Sequence, residues 1–188
     1  MDAFLSSTAL VALAEIGDKT QLLALVLAAR FRKPVPIVLG ILIATLANHA
    51  LAALVGASAA AWLDGPWFGT AVAIGFIAMG LWTLVPDKLD EDHAPRSAGS
   101  AFATTLVSFF LVEIGDKTQI ATIALGARYG DVAAVTAGTT LGMMLANVPV
   151  VLAGDALIRR IPLKAVRIAA AALFVAMGAW LLSNSWPL

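Results

Sequence analysis

"EIGDKTQ" runs from Glu15 to Gln21, inside an apolar stretch that extends from Ala3 to Ala29. The same seven letters return from Glu113 to Gln119, again within an apolar stretch. A Glu, an Asp and a Lys at the centre of a greasy segment are costly to place there, and the chain places them twice.

The surroundings make the cost explicit. Of 188 residues, 61% are hydrophobic and 13% charged, with a mean hydropathy of +0.92. A soluble domain is nearer half apolar and a quarter charged. The composition predicts an all-α integral membrane protein with no room for a second folded domain. Formal net charge is zero, so the chain carries no electrostatic footprint for nucleic acid. Cysteine is absent, which excludes disulfides, thiolate metal sites and cysteine nucleophiles. No Ser/His constellation stands out, so an enzyme is the poorest reading. The N-terminus lacks a basic leader, and its first apolar run is too long for a signal-peptide core; it reads as a retained span.

A bilayer core about 30 Å thick needs roughly 20 apolar residues in a helix. That measure predicts six spans, near residues 3–29, 36–60, 67–86, 101–127, 132–154 and 164–184. The longest polar stretch, within 87–100, reads as a linker between a first unit (1–86) and a second (101–188), both parts of one membrane domain. Glu15 and Glu113 lie 98 positions apart, and at the same offset "FIAMGLW" (76–82) meets "FVAMGAW" (174–180). "LAN" at 46–48 answers "LAN" at 145–147 with one residue of slippage. The expectation is a three-helix repeat present twice. Three spans per unit force the second copy to enter from the opposite side, so the repeats are inverted. The connections between spans 1–2, 3–4 and 5–6 hold Arg30, Arg32, Lys33, Lys88, Arg96, Arg159, Arg160, Lys164 and Arg167; the opposite face holds only Arg128. The positive-inside rule puts those three connections in the cytoplasm and both termini outside.

Every deeply placed charge belongs to the repeated motif. One such charge costs about 2.5–3.5 kcal/mol at a helix centre, and six uncompensated ones roughly 15–20 kcal/mol, beyond the ~5–15 kcal/mol stability of a typical fold. Pairing, water or a bound ion must offset them. Glu15 and Asp18 are three apart, so both carboxylates share a helix face, as do Glu113 and Asp116. Gly17 and Gly115 weaken the helix and admit close neighbours. Thr20, Gln21, Thr118 and Gln119 add neutral oxygens. Inverted repeats bring such elements together near the midplane, where secondary transporters hold substrate. The purely structural alternative pairs Glu15 with Lys19 and Glu113 with Lys117 at i, i+4. Each motif sums to one negative charge, so the pair matches one divalent cation, or two protons in its place.

Hard oxygen donors suit Ca²⁺, Mn²⁺ and Mg²⁺, whereas Zn²⁺ and copper sites recruit Cys or His. His49 is the histidine at membrane depth and has no counterpart in the second half; it reads as packed or cavity-lining, with proton relay as the other reading. Asn48 and Asn147, each in the second helix of its unit, are candidates to complete a metal shell or to bond between helices. Met143 and Met144 read as packing, as do the "AMG" turns at 78–80 and 176–178.

Two E-x-G-D-K-T motifs in a six-span chain closely resemble the small Ca²⁺/Mn²⁺–proton exchanger family, which includes mammalian transmembrane protein 165, its yeast Gdt-type relatives and bacterial manganese exporters of the MneA type. The resemblance covers essentially the whole chain, and Glu15–Thr20 and Glu113–Thr118 satisfy the pattern at every position. It implies export of Mn²⁺, with Ca²⁺ in some members, from the cytosol in exchange for protons, with Glu15, Asp18, Glu113 and Asp116 as the cation site. It also implies a bacterial inner-membrane location. The metal is substrate and no resident cofactor is expected. The implied partners are lipid, the divalent ion and protons, and a homodimer is compatible with such a chain. The residues by themselves also admit a passive cation channel, or an exporter of small organic solutes gripped by Lys19 and Lys117.

Overall fold

The computed structural model describes residues 2–63, 65–86, 99–154 and 161–184. Among these residues every regular element is an α-helix. The helices are α1 (Asp2–Glu15), α2 (Lys19–Phe31), α3 (Pro34–Trp62), α4 (Pro66–Thr83), α5 (Ala101–Glu113), α6 (Lys117–Tyr129), α7 (Val132–Ala153) and α8 (Leu163–Asn184). Stretches within α3, α7 and α8 are long and apolar enough to cross a membrane, and α4 and α5 contain shorter apolar helices. The 87–98 part of the linker, with Lys88 and Arg96, lies outside the described residues, as do Arg159 and Arg160.

The spans expected at 3–29 and 101–127 are not continuous helices. Each breaks at the motif, because Gly17 (φ +84°) and Gly115 (φ +77°) take a left-handed conformation that side-chain-bearing residues avoid. Asp18 and Asp116 then stand at the N-cap positions of α2 and α6 in extended conformation. Both breaks close the same turn, Asp18 N–H to Glu15 O and Asp116 N–H to Glu113 O, each 3.1 Å. The i, i+3 and i, i+4 relations expected within the motif are therefore absent.

Burial is inverted relative to a soluble protein. Glu15, Glu113 and His49 are 0% exposed, whereas Leu39, Ile43, Leu46 and Leu54 of α3 are 45–53% exposed. A surface of bare aliphatic side chains around buried carboxylates fits an apolar solvent, the bilayer.

Helices of one half pack on helices of the other: α1 on α7, α5 on α3, α6 on α3, α2 on α7 and α4 on α8. The close approaches recur at the motif's offset of 98. A Cβ at Gly40 would meet Phe102 O and Thr105, and a Cβ at Gly138 would meet Phe4 O and Ser7; each of these residues is 98 positions from its counterpart. Between α4 and α8, Phe76 stacks on Phe174 with ring centroids 6.3 Å apart. Gly80 abuts Ala171 O there, and Gly178 abuts Ala73 O. The "AMG" turns are thus small-residue packing surfaces, as expected.

Candidate metal centre at the helix breaks

The two breaks meet. Glu15, Glu113 and Asp116 each offer a carboxylate oxygen within 4.8 Å of the others, and all three are buried. Glu15 and Glu113 end α1 and α5, and Asp18 and Asp116 precede α2 and α6, so the acidic side chains of the site are carried at four helix ends.

Hydroxyls and one ammonium arrange the cluster. Thr20 Oγ1 donates to Glu15 Oε2 at 2.5 Å. Thr118 Oγ1, from the other half, reaches Glu15 Oε1 at 2.7 Å and Asp116 Oδ2 at 3.0 Å. Lys19 Nζ pairs with Asp116 Oδ1 at 2.9 Å, not with Glu15. Lys117, which lines the same cleft as Glu15 and Asp116, donates from Nζ to Val85 O at 2.8 Å and sits 5.6 Å from the Trp82 ring centroid. Charge compensation therefore crosses between motifs. This corrects the pairings expected along a single helix.

Asp18 is buried and lines the same narrow cleft as Glu15 and Asp116, but it is not one of the three converging carboxylates. The cleft also touches Thr83 at the end of α4 and Arg167 of α8. The glutamines brace the breaks. Gln21 Oε1 accepts from Gly17 N at 2.9 Å while its Nε2 donates to Ala146 O of α7 at 2.9 Å, and Gln119 Oε1 accepts from Gly115 N at 2.7 Å. Asn48 Nδ2 donates to Phe110 O at 3.1 Å, a helix–helix bond. Asn147 Nδ2 bonds within its own helix, to Met143 O at 3.1 Å and Met143 Sδ at 2.9 Å.

The residue that the sequence undervalued is His49, whose Nε2 lies 3.9 Å from Glu113 Oε2 with both side chains fully buried. A polar ring one position beyond Asn48 in an otherwise apolar helix was the available signal; its facing of Glu113 depends on how α3 packs against α5 and was not readable.

A buried cluster of three carboxylates with hydroxyls and one paired ammonium can exchange a divalent cation for protons. The family model described as "Divalent cation/proton antiporter GDT1" matches residues 3–91 and 101–187. A protein of Vibrio cholerae serotype O1 named "Putative manganese exporter" is 50% identical over 178 residues, covering 94% of this chain and 88% of that one. GDT1-like protein 5 of Arabidopsis thaliana is 27% identical over 216 residues, covering 95% and 94%. A GDT1-like protein of Synechocystis is 30% identical over 199 residues, covering 93% of each. No solved structure matches. The chain is a membrane protein that belongs to the divalent cation/proton antiporter family GDT1, a family of transporters rather than enzymes.

Proposed function

We propose that this chain exports Mn²⁺, with Ca²⁺ as a secondary substrate, from the bacterial cytoplasm across the inner membrane in exchange for protons. The observation that carries the reading is the union of Glu15, Glu113 and Asp116 from both motifs at the two helix breaks. With Lys19 paired to Asp116, that set carries two negative charges when ionised, matching one divalent ion. Oxygen donors of this kind suit Mn²⁺ and Ca²⁺, and the similarity to the Vibrio cholerae protein named "Putative manganese exporter" supports Mn²⁺ for this chain. Protons and metal compete because a carboxylate must lose its proton to bind the ion.

The architecture proposed is six spans as two inverted three-helix repeats, 1–86 and 101–188, with both termini outside. The broken first helix of each repeat, α1–α2 and α5–α6, forms one span. The recurrence of close contacts at an offset of 98 supports it. Exchange proceeds by alternating access, and two asymmetries support this. Both Thr20 and Thr118 donate to Glu15 and neither to Glu113. The helices α8 and α4 pack on α1 and α6, whereas the counterpart pairings α4–α5 and α8–α2 are marginal at most. Exchanging the roles of the halves gives the second state, in which α4 and α8 lean on α5 and α2.

The test is Mn²⁺ flux into proteoliposomes under an imposed pH gradient. Flux should follow the gradient, collapse with a protonophore and vanish in Glu113→Gln and Asp116→Asn. Flux indifferent to the gradient, or normal in both variants, would overturn the reading.

A further inference from the structure

His49 sits in α3 at 0% exposure, facing Glu113, also at 0%. Their nearest atoms are 3.9 Å apart, too far for a hydrogen bond. Among the described residues, neither ring nitrogen of His49 and neither carboxylate oxygen of Glu113 has a hydrogen-bond partner. Glu15, the equivalent glutamate, accepts hydroxyls at both oxygens. Leaving a buried polar group unsatisfied is costly, and a packing role does not account for that cost, since an aliphatic residue would fill the space without it. The separation has a simple chemical reading. Two donors each bound roughly 2.0–2.2 Å from a first-row divalent ion lie about 3–4 Å apart.

We propose that His49 Nε2, which faces Glu113 but stands outside the three converging carboxylates, closes on the transported cation as a ligand when the ion binds, and that this single nitrogen donor sets the preference for a transition-metal ion over Ca²⁺ and Mg²⁺. The inference rests on the transport reading above and adds a selectivity determinant to it. Alkaline-earth ions take all-oxygen shells, whereas a nitrogen donor adds affinity for first-row transition ions, least for Mn²⁺ and rising toward Cu²⁺. The remaining donors near the cluster are carboxylates, the hydroxyls of Thr20 and Thr118 and peptide groups, none of which separates Mn²⁺ from Ca²⁺ by donor type. The second half offers no matching nitrogen: the residue 98 positions on is Asn147, whose Nδ2 bonds to Met143 and whose buried, unpartnered Oδ1 is an oxygen donor. The site is therefore chemically lopsided, with the nitrogen on the Glu113 side.

Two measurements test this on the full-length protein with Mn²⁺ as probe. Pulsed EPR of Mn²⁺ bound to the purified wild-type protein should show the ¹⁴N coupling of a directly bound imidazole, and His49→Asn should lose it. In proteoliposomes, the Mn²⁺-to-Ca²⁺ rate ratio of His49→Asn should fall at least tenfold. Wild-type Mn²⁺ without imidazole coupling overturns the inference even if the variant does not fold. An unchanged ratio in a transporting His49→Asn overturns it too, and leaves the exporter reading intact. Absence of any Mn²⁺ binding or flux in the wild type sinks both readings together.

Discussion

Lys19 Nζ lies 2.9 Å from Asp116 Oδ1, so the ammonium of the first motif compensates a carboxylate of the second. Neither motif is electrostatically complete by itself. Asp116 is 4% exposed and Lys19 24%, which places the pair at the edge of the buried cluster, where breaking it leaves a carboxylate without its counter-charge.

Lys19→Gln should therefore lower stability by roughly 1–3 kcal/mol, less than for a fully buried pair because Lys19 is partly exposed. Adding Asp116→Asn should restore part of that loss, since the uncompensated charge goes with it. Thermal unfolding of the single and double variants in detergent checks this. A double variant less stable than the sum of the singles would contradict a direct pair.

The helix breaks make a second prediction. Gly17→Ala and Gly115→Ala each force a Cβ into the left-handed region, at about 1–2 kcal/mol. The Cβ at Gly17 would also meet Leu163 Cδ2 at 2.8 Å, while nothing lies within 4 Å at Gly115. Leu163 Cδ2 is the tip of a flexible side chain and can swing aside. The two variants should thus lose similar stability, and Leu163→Ala should close any remaining difference between them, as read by unfolding midpoints.

These breaks also mark where the sequence stopped being legible. The duplicated motif, its offset of 98 and the "AMG" packing turns were readable because each is a local pattern repeated. The break was not. Apolar residues run on either side of "EIGDKTQ" as they would along one uninterrupted span, and an Asp after a Gly is a cap signal that the bilayer ordinarily makes costly in mid-span. Only neighbouring helices make it tolerable, as Gln21 does by tying Gly17 N to Ala146 O. The cross-motif contacts of Lys19 and Thr118 are tertiary, and no spacing within one motif encodes them.

The α4–α8 contact yields a third expectation. A Cβ at Gly178 would lie 2.6 Å from Ala73 O, a backbone atom that cannot step aside, whereas nothing lies within 4 Å of one at Gly75. Gly178→Ala should push the helices apart at a cost of roughly 1–3 kcal/mol and slow transport, and Gly75→Ala should leave both unchanged. Parallel unfolding and flux measurements separate the two.

The last expectation divides the four acidic motif residues, which the sequence treats alike. Glu15, Glu113 and Asp116 converge within 4.8 Å, and Asp18 stands outside that set although it lines the same cleft. If metal binding is carried by the converging three, Glu15→Gln, Glu113→Gln and Asp116→Asn should each weaken Mn²⁺ binding by two orders of magnitude or more. Losing a charged ligand in a buried site removes both a bond and the charge balance, about 3 kcal/mol or more. Asp18→Asn should cost less than tenfold in binding, because its carboxylate stands outside the converging three in this conformation. If the halves exchange roles as proposed, Asp18 would take the place that Asp116 holds here, since the two are 98 positions apart. Asp18→Asn should then slow turnover far more than it weakens equilibrium binding. Calorimetric Mn²⁺ titration and proteoliposome flux on the same preparation distinguish the two effects, and equal losses in both for Asp18→Asn would count against the exchange of roles.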